Sequence, residues 1–161
     1  MKSDLALYNT IMNENDDSQQ PYRILLRSLT QAGQMVSNEL DKALSRFGLS
    51  IAKIAVLKVL VEAEHPLPLE QMAGRLSLVQ SNITQLVDQL EAGGLITRVS
   101  DPDDRSSIRA VITEKGQRQY SVGLAEEAKV ESELFGQLSA NEREYLLGLL
   151  QKVLSSRRRR V

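Results

Sequence analysis

The chain has 161 residues, 42% hydrophobic and 25% charged, with a formal net charge of −1, which suits one soluble domain with its own core. Zero cysteines exclude disulfides, thiolate nucleophiles and cysteine-ligated zinc, and the single histidine, His65, leaves a histidine metal site or catalytic triad without its other members. No uncharged apolar run approaches the roughly 18 residues of a membrane span, since Lys53 and Lys58 interrupt the most hydrophobic segment, 51–61.

Residues 1–18 are expected to be loosely ordered. They are acidic and lack the basic-then-apolar order of a secretory signal, which points to a cytoplasmic protein. From Pro21 onward Tyr22, Leu26, Leu29, Val36, Leu40, Leu44 and Phe47 recur at spacings of three, four and seven, so one long amphipathic helix is predicted, closed by Gly48. At ~1.5 Å per residue it extends about 40 Å, and part of its stripe is expected to meet another chain. Ser50 is predicted to cap a core helix carrying Ile51, Ile54, Leu57, Val59 and Leu60 and ending before His65-Pro66, with His65 a plain loop residue.

Two short helices follow, PLEQMAGRL (68–76) and VQSNITQLVDQLEAGG (79–94), separated by Ser77 and Leu78 and stopped by Gly93-Gly94. This is helix-turn-helix spacing. The segments LITRVS (95–100) and SIRAVI (107–112) alternate in the strand manner and predict a two-stranded hairpin. Thr113 is predicted to cap a helix with Tyr120, Leu124, Ala128, Leu134 and Phe135 on one side. Ser139-Ala140-Asn141-Glu142 has capping-box form ahead of a last stripe of Tyr145, Leu146, Leu149, Leu150, Val153 and Leu154, and the RRRR run at 157–160 reads as a solvated basic tail.

Chemistry concentrates on the second helix of the pair. Val79, Ile83, Leu86, Val87 and Leu90 share one face and are expected to pack inward, which turns Gln80, Ser81, Asn82, Thr84, Gln85, Asp88 and Gln89 outward. A face built only for solubility would more often use Lys and Glu. Amides and hydroxyls are what base edges require: Asn or Gln pairs bidentately with adenine N6 and N7, and a Thr methyl meets the thymine methyl. No G-x-G-x-x-G, Walker A or G-x-S-x-G motif occurs.

In order, the pieces LVQSNITQLVDQLEAGGLITR, DPDDRSS and ITEKG give residues 51–116 a pattern that resembles the MarR family of bacterial transcription regulators. The resemblance implies a mainly α fold with a small β-hairpin: a winged helix-turn-helix lobe at 50–113 and dimerisation helices at 19–48 and 114–156, all in one domain spanning 1–161. It implies a homodimer that binds double-stranded DNA on a near-palindromic operator, with half-sites about 34 to 36 Å apart. Repression is the usual family outcome, with release by a small aromatic or anionic effector. No cofactor or metal is implied.

The charged turn gains a physical rationale in that setting. A hairpin tip entering a narrow minor groove needs a cation, and carboxylates that hold the arginine beforehand reduce its entropy loss. Asp101 is then expected to start the turn with Pro102 and Asp104 to steer Arg105, while the resemblance implies that Asp88 pairs with Arg98 at the hairpin base. Ser106 stands where many members have a second arginine, Val79 where a capping Ser is common, and Gln80, Gln85 and Gln89 where Arg is frequent. Fewer phosphate neutralisations then imply a shallower salt dependence or a larger share borne by Arg75, Arg98, Arg105 and Arg109. One alternative is a winged-helix protein-interaction module without specific DNA binding, which the arginine-poor helix favours. Another, an enzyme using Asp103 and Asp104, lacks the burial that drives paired carboxylates apart.

Overall fold

The computed structural model describes residues 20–101 and 108–158. Two compact units divide the chain, Met1–Asn38 and Glu39–Val161. Helix α1, Gln20–Ser45, begins in the first unit, where its Tyr22, Leu25, Leu26, Leu29 and Met35 are exposed. Its last turns belong to the second unit and bury Leu44 completely. There the chain reverses through Gly48, whose φ of 69° is a left-handed value that glycine adopts without steric cost.

Helix α2, Ile51–Ala63, starts where the Ser50 hydroxyl accepts the Lys53 amide, the predicted cap, while Asp41 accepts the amide of Ile51. Ile54, Val56, Leu57, Val59, Leu60 and Ala63 are buried, so α2 is the central element of the lobe. His65 follows in an exposed bend, its Nδ1 turned onto the carbonyl of Ala63.

The sheet holds the predicted strand pair and one strand more. Leu67–Pro68 forms a short strand, β1, antiparallel to β3, Ile108–Ile112, which also pairs with β2, Ile96–Ser100. The order β1-β3-β2 adds an edge strand to the predicted pair. Two residues carry too short a pattern to register as a strand, and Pro68 argues against one unless it lies at an edge, as it does here. Helix α3 consequently begins at Leu69 and runs to Leu76.

Helix α4, Gln80–Ala92, follows a turn in which Ser77 takes a left-handed φ of 53° and the Leu78 amide bonds back to Ala73. The core is continuous through α2, α3, α4 and the sheet: Leu44, Leu57, Leu67, Met72, Ile83, Val87, Leu90 and Ile96 are almost wholly inaccessible. Burial of large side chains of this kind stabilises by about 1.5 to 3 kcal/mol each.

Helix α5, Glu114–Phe135, is capped by Thr113, whose hydroxyl accepts the Gly116 amide at 3.0 Å. Of the predicted stripe, Tyr120 is half-buried against the core. Leu124 and Phe135 are exposed, and the buried residues are Gly116, Gly123 and Val130, seven apart. A Cβ on Gly123 would collide with Ile54 and one on Gly116 with the Leu95 carbonyl, so the helix lies closer than an apolar side chain allows. Helix α6, Ala140–Arg158, opens on the predicted capping box, with Glu142 accepting from both the amide and the hydroxyl of Ser139. Among its described side chains none is buried, and Tyr145, Leu147, Val153 and Leu154 are at least half exposed.

Candidate nucleic-acid interface

Three interior residues set the orientation of α4. Ile83, Val87 and Leu90 are buried in the lobe, so Gln80, Ser81, Asn82, Thr84, Gln85, Asp88 and Gln89 face solvent together. The Thr84 hydroxyl bonds back to the Gln80 carbonyl at 3.1 Å. That engages its hydroxyl proton with the helix backbone. Val79 departs from expectation: it is the N-cap residue, makes no side-chain cap bond, and is 63% exposed rather than packed inward. As the residue before the helix it stands off the 3.6-residue stripe that a periodic count assigns to it.

The C-terminal turn of α4 is joined to the sheet by a carboxylate clamp. Arg98 on β2 donates Nη2 to Asp88 and Nη1 to Glu91, each at 2.5 Å, and its backbone amide donates to the other Glu91 oxygen at 3.1 Å. The pairing with Asp88 is the one implied by the resemblance; Glu91 is an addition. Periodicity alone misses it, although its offset from Asp88 by three residues places both carboxylates on one side of the helix. The hydrogen bond to Asp88 is the largest influence raising the Arg98 pKa; burial opposes it and Glu91 adds to it. Arg98 therefore stays charged and held, with its side chain 23% exposed. Its geometry fits a positioning duty more closely than phosphate neutralisation.

A second pair fixes the base of the hairpin. Asp101 is 7% exposed and accepts Nε of Arg109 at 2.7 Å and Nη2 at 2.9 Å, a two-pronged arrangement across the strands. The structure thus brings together Asp101, expected to start the turn, and Arg109, expected to neutralise phosphate. The register that opposes Val99 to Arg109 sets Asp101 just beyond the paired residues, a juxtaposition visible only once the strand register is known. Asp104, Arg105 and Ser106 lie at 102–107, outside the described residues. Arg75, in the last turn of α3, is exposed.

The closing T-E-K-G segment ties α5 to the end of α4. Thr113 donates its hydroxyl to the Gly94 carbonyl at 2.8 Å and Lys115 donates to the Gly93 carbonyl at 2.7 Å, satisfying acceptors at the helix C-terminus where a cation is favoured. The outward row of α4 is thus held from beneath by core packing and from behind by Arg98 and Lys115. Among the described residues no group of acidic and histidine side chains could hold a metal ion, and no helix is long and apolar enough to cross a membrane.

Comparison with known proteins agrees with this architecture. Residues 49–108 match the MarR family model. The chain is 32% identical over 128 residues to the uncharacterized HTH-type transcriptional regulator YkoM of Bacillus subtilis, covering 80% of this chain and 82% of that one. Among solved structures, CouR of Rhodococcus jostii RHA1 bound to p-coumaroyl-CoA is 29% identical with a TM-score of 0.64, covering 78% of this chain and 87% of CouR. A mutant of E. coli MarR complexed with operator DNA shares the fold at 23% identity and a TM-score of 0.72, covering 86% and 99%. By sequence and by fold, the chain belongs to the MarR family of transcriptional regulators rather than to any class of enzyme.

Proposed function

We propose that this chain binds double-stranded operator DNA sequence-specifically as a homodimer and represses transcription until a small aromatic or anionic effector releases it. One observation carries the proposal. Gln80, Ser81, Asn82, Thr84, Gln85 and Gln89 form an unbroken solvent-facing row on a helix whose other side is locked into the core. Neutral amides and hydroxyls at that density suit hydrogen bonding to base edges in a major groove, where each base pair presents its own donor and acceptor pattern. The fold is shared with a regulator crystallised on operator DNA, which supports placing this helix in the groove.

Dimer formation is supported by the apolar side chains that stand exposed on the first and last helices, Tyr22, Leu25 and Leu26 on α1 and Tyr145, Leu147 and Leu154 on α6. Exposed apolar side chains on each of these helices are the kind of surface that association covers. Two copies related by a twofold axis would present two α4 helices to half-sites about 34 to 36 Å apart. The effector part of the proposal draws on CouR, which was crystallised with p-coumaroyl-CoA. An effector acts only if it binds more tightly to a dimer whose α4 spacing does not fit DNA.

Fluorescence anisotropy of a duplex from the protein's own upstream region, titrated across a salt series, tests the proposal. Binding that exceeds a scrambled duplex by about a thousandfold, with affinity falling as salt rises, is expected. Equal affinity for both duplexes would instead favour the winged-helix protein-interaction alternative.

A further inference from the structure

The side chains of α4 also restrict which bases it can read. From Leu76 to Thr97 the sequence contains no Lys, Arg or His. Guanine is most often read by Arg or Lys paired with O6 and N7, and cytosine by a carboxylate accepting from N4. The only carboxylates on α4 are Asp88 and Glu91, and both are engaged by Arg98. What the outward face offers is Gln80, Asn82 and Gln85, suited to adenine, and exposed Thr84, whose hydroxyl proton is engaged by the Gln80 carbonyl and whose methyl can serve an apolar contact. Val79, 63% exposed at the N-terminus of the helix, adds a second apolar group at the end that reaches furthest into a groove.

We propose that the half-site core read by α4 consists of A·T pairs, with Gln80, Asn82 and Gln85 on adenines and with Val79 and Thr84 as specificity-determining residues that recognise thymine methyls. This rests on the DNA-binding function proposed above. It follows from what the helix withholds as much as from what it offers, because no group on it can pair bidentately with guanine in the usual way. A largely exposed valine that makes no cap bond is otherwise a liability at a helix start, where Ser, Thr, Asp or Asn stabilises.

The test has two arms. In the first, the full-length protein selects from a pool of randomised duplexes. Enrichment of A·T pairs at the centre of each half-site is expected. Enriched half-sites centred on G·C pairs would overturn this proposal while leaving DNA binding intact, and no enrichment of any duplex would overturn both. In the second, thymines of a selected duplex are replaced by uracil, which removes only the C5 methyl. Wild-type affinity should fall about fourfold for each contacted methyl, while Val79→Ala and Thr84→Ser should each be insensitive at one position. Both side chains are exposed, so neither variant should impair folding. Uracil sensitivity that persists unchanged in both variants would overturn the assignment of these residues.

Discussion

The clamp on Arg98 predicts an asymmetry between its two acidic partners. Glu91 accepts both the backbone amide and the guanidinium of Arg98, whereas Asp88 accepts the guanidinium alone. Their side chains are 37% and 59% exposed, so solvent screens Asp88 more. Glu91→Ala removes a charge-assisted bond to the main chain, worth about 1.5 kcal/mol, and a half-exposed ion pair worth about 0.5 kcal/mol. Asp88→Ala removes one exposed pair, about 0.5 kcal/mol. Alanine's higher helix propensity returns a few tenths of a kcal/mol at either site. In a domain of this size the expected melting-temperature losses are about 3 to 7 °C for Glu91→Ala and under about 1 °C for Asp88→Ala. Asp88 does most to raise the Arg98 pKa, but that group titrates far above any working pH, so the influence does not convert into stability. Thermal melts at moderate salt decide the matter. An Asp88→Ala loss equal to or larger than that of Glu91→Ala would refute the assignment of Glu91 as the residue that holds β2 against α4.

Three further outcomes follow from the packing and the charges. Gly116→Ala forces a methyl into the Leu95 carbonyl and to within 2.7 Å of Ile112 Cγ1, and should cost about 3 kcal/mol by chemical denaturation. Gly123→Ala meets the end of the Ile54 side chain instead, which can move, so a larger loss at Gly123 than at Gly116 would contradict the structure. Glu127 has its pKa raised, first by burial and then by neighbouring Glu131, against the opposing pull of Lys58. The stability held by its protonated form is therefore complete below the ordinary carboxylate range and is lost as pH rises through the raised value. Glu127→Gln should match the wild type near pH 3.5 and exceed it at pH 7 by up to about 0.5 kcal/mol; equal differences at both pH values would refute this. Leu154→Glu together with Tyr145→Glu places charge on the exposed face of α6, and sedimentation should show a shift from dimer to monomer, an unchanged dimer counting against that face as the association surface.

What the sequence discloses here is what local chemistry decides. Ser50, Thr113 and the Ser139/Glu142 box cap helices as anticipated, because a cap requires only a side-chain oxygen and an amide two or three residues on. The outward row of α4 is legible for a similar reason, since Ile83, Val87 and Leu90 fix the opposite face by period alone. Features that depend on what approaches from elsewhere are not. Strand β1 exists because β3 offers Leu67 and Pro68 an edge. Gly116 and Gly123 look like weak points of α5 until Leu95 and Ile54 are placed against them. The Asp101–Arg109 pair spans strands whose register no periodic count supplies, so its two members read separately in the sequence. Val79 failed for a local reason: a helix boundary off by one residue moves a side chain from core to solvent.

The central claim is that the exposed amides of α4 read base edges, and Asn82→Ala tests it most directly. Binding of wild type, Asn82→Ala and Arg75→Ala is compared on the upstream duplex and on a scrambled duplex of the same composition. Asn82→Ala should lose ~1 to 3 kcal/mol on the matched duplex and almost nothing on the scrambled one, whereas Arg75→Ala should lose a similar amount on both. Equal losses on the two duplexes for Asn82→Ala would contradict the account.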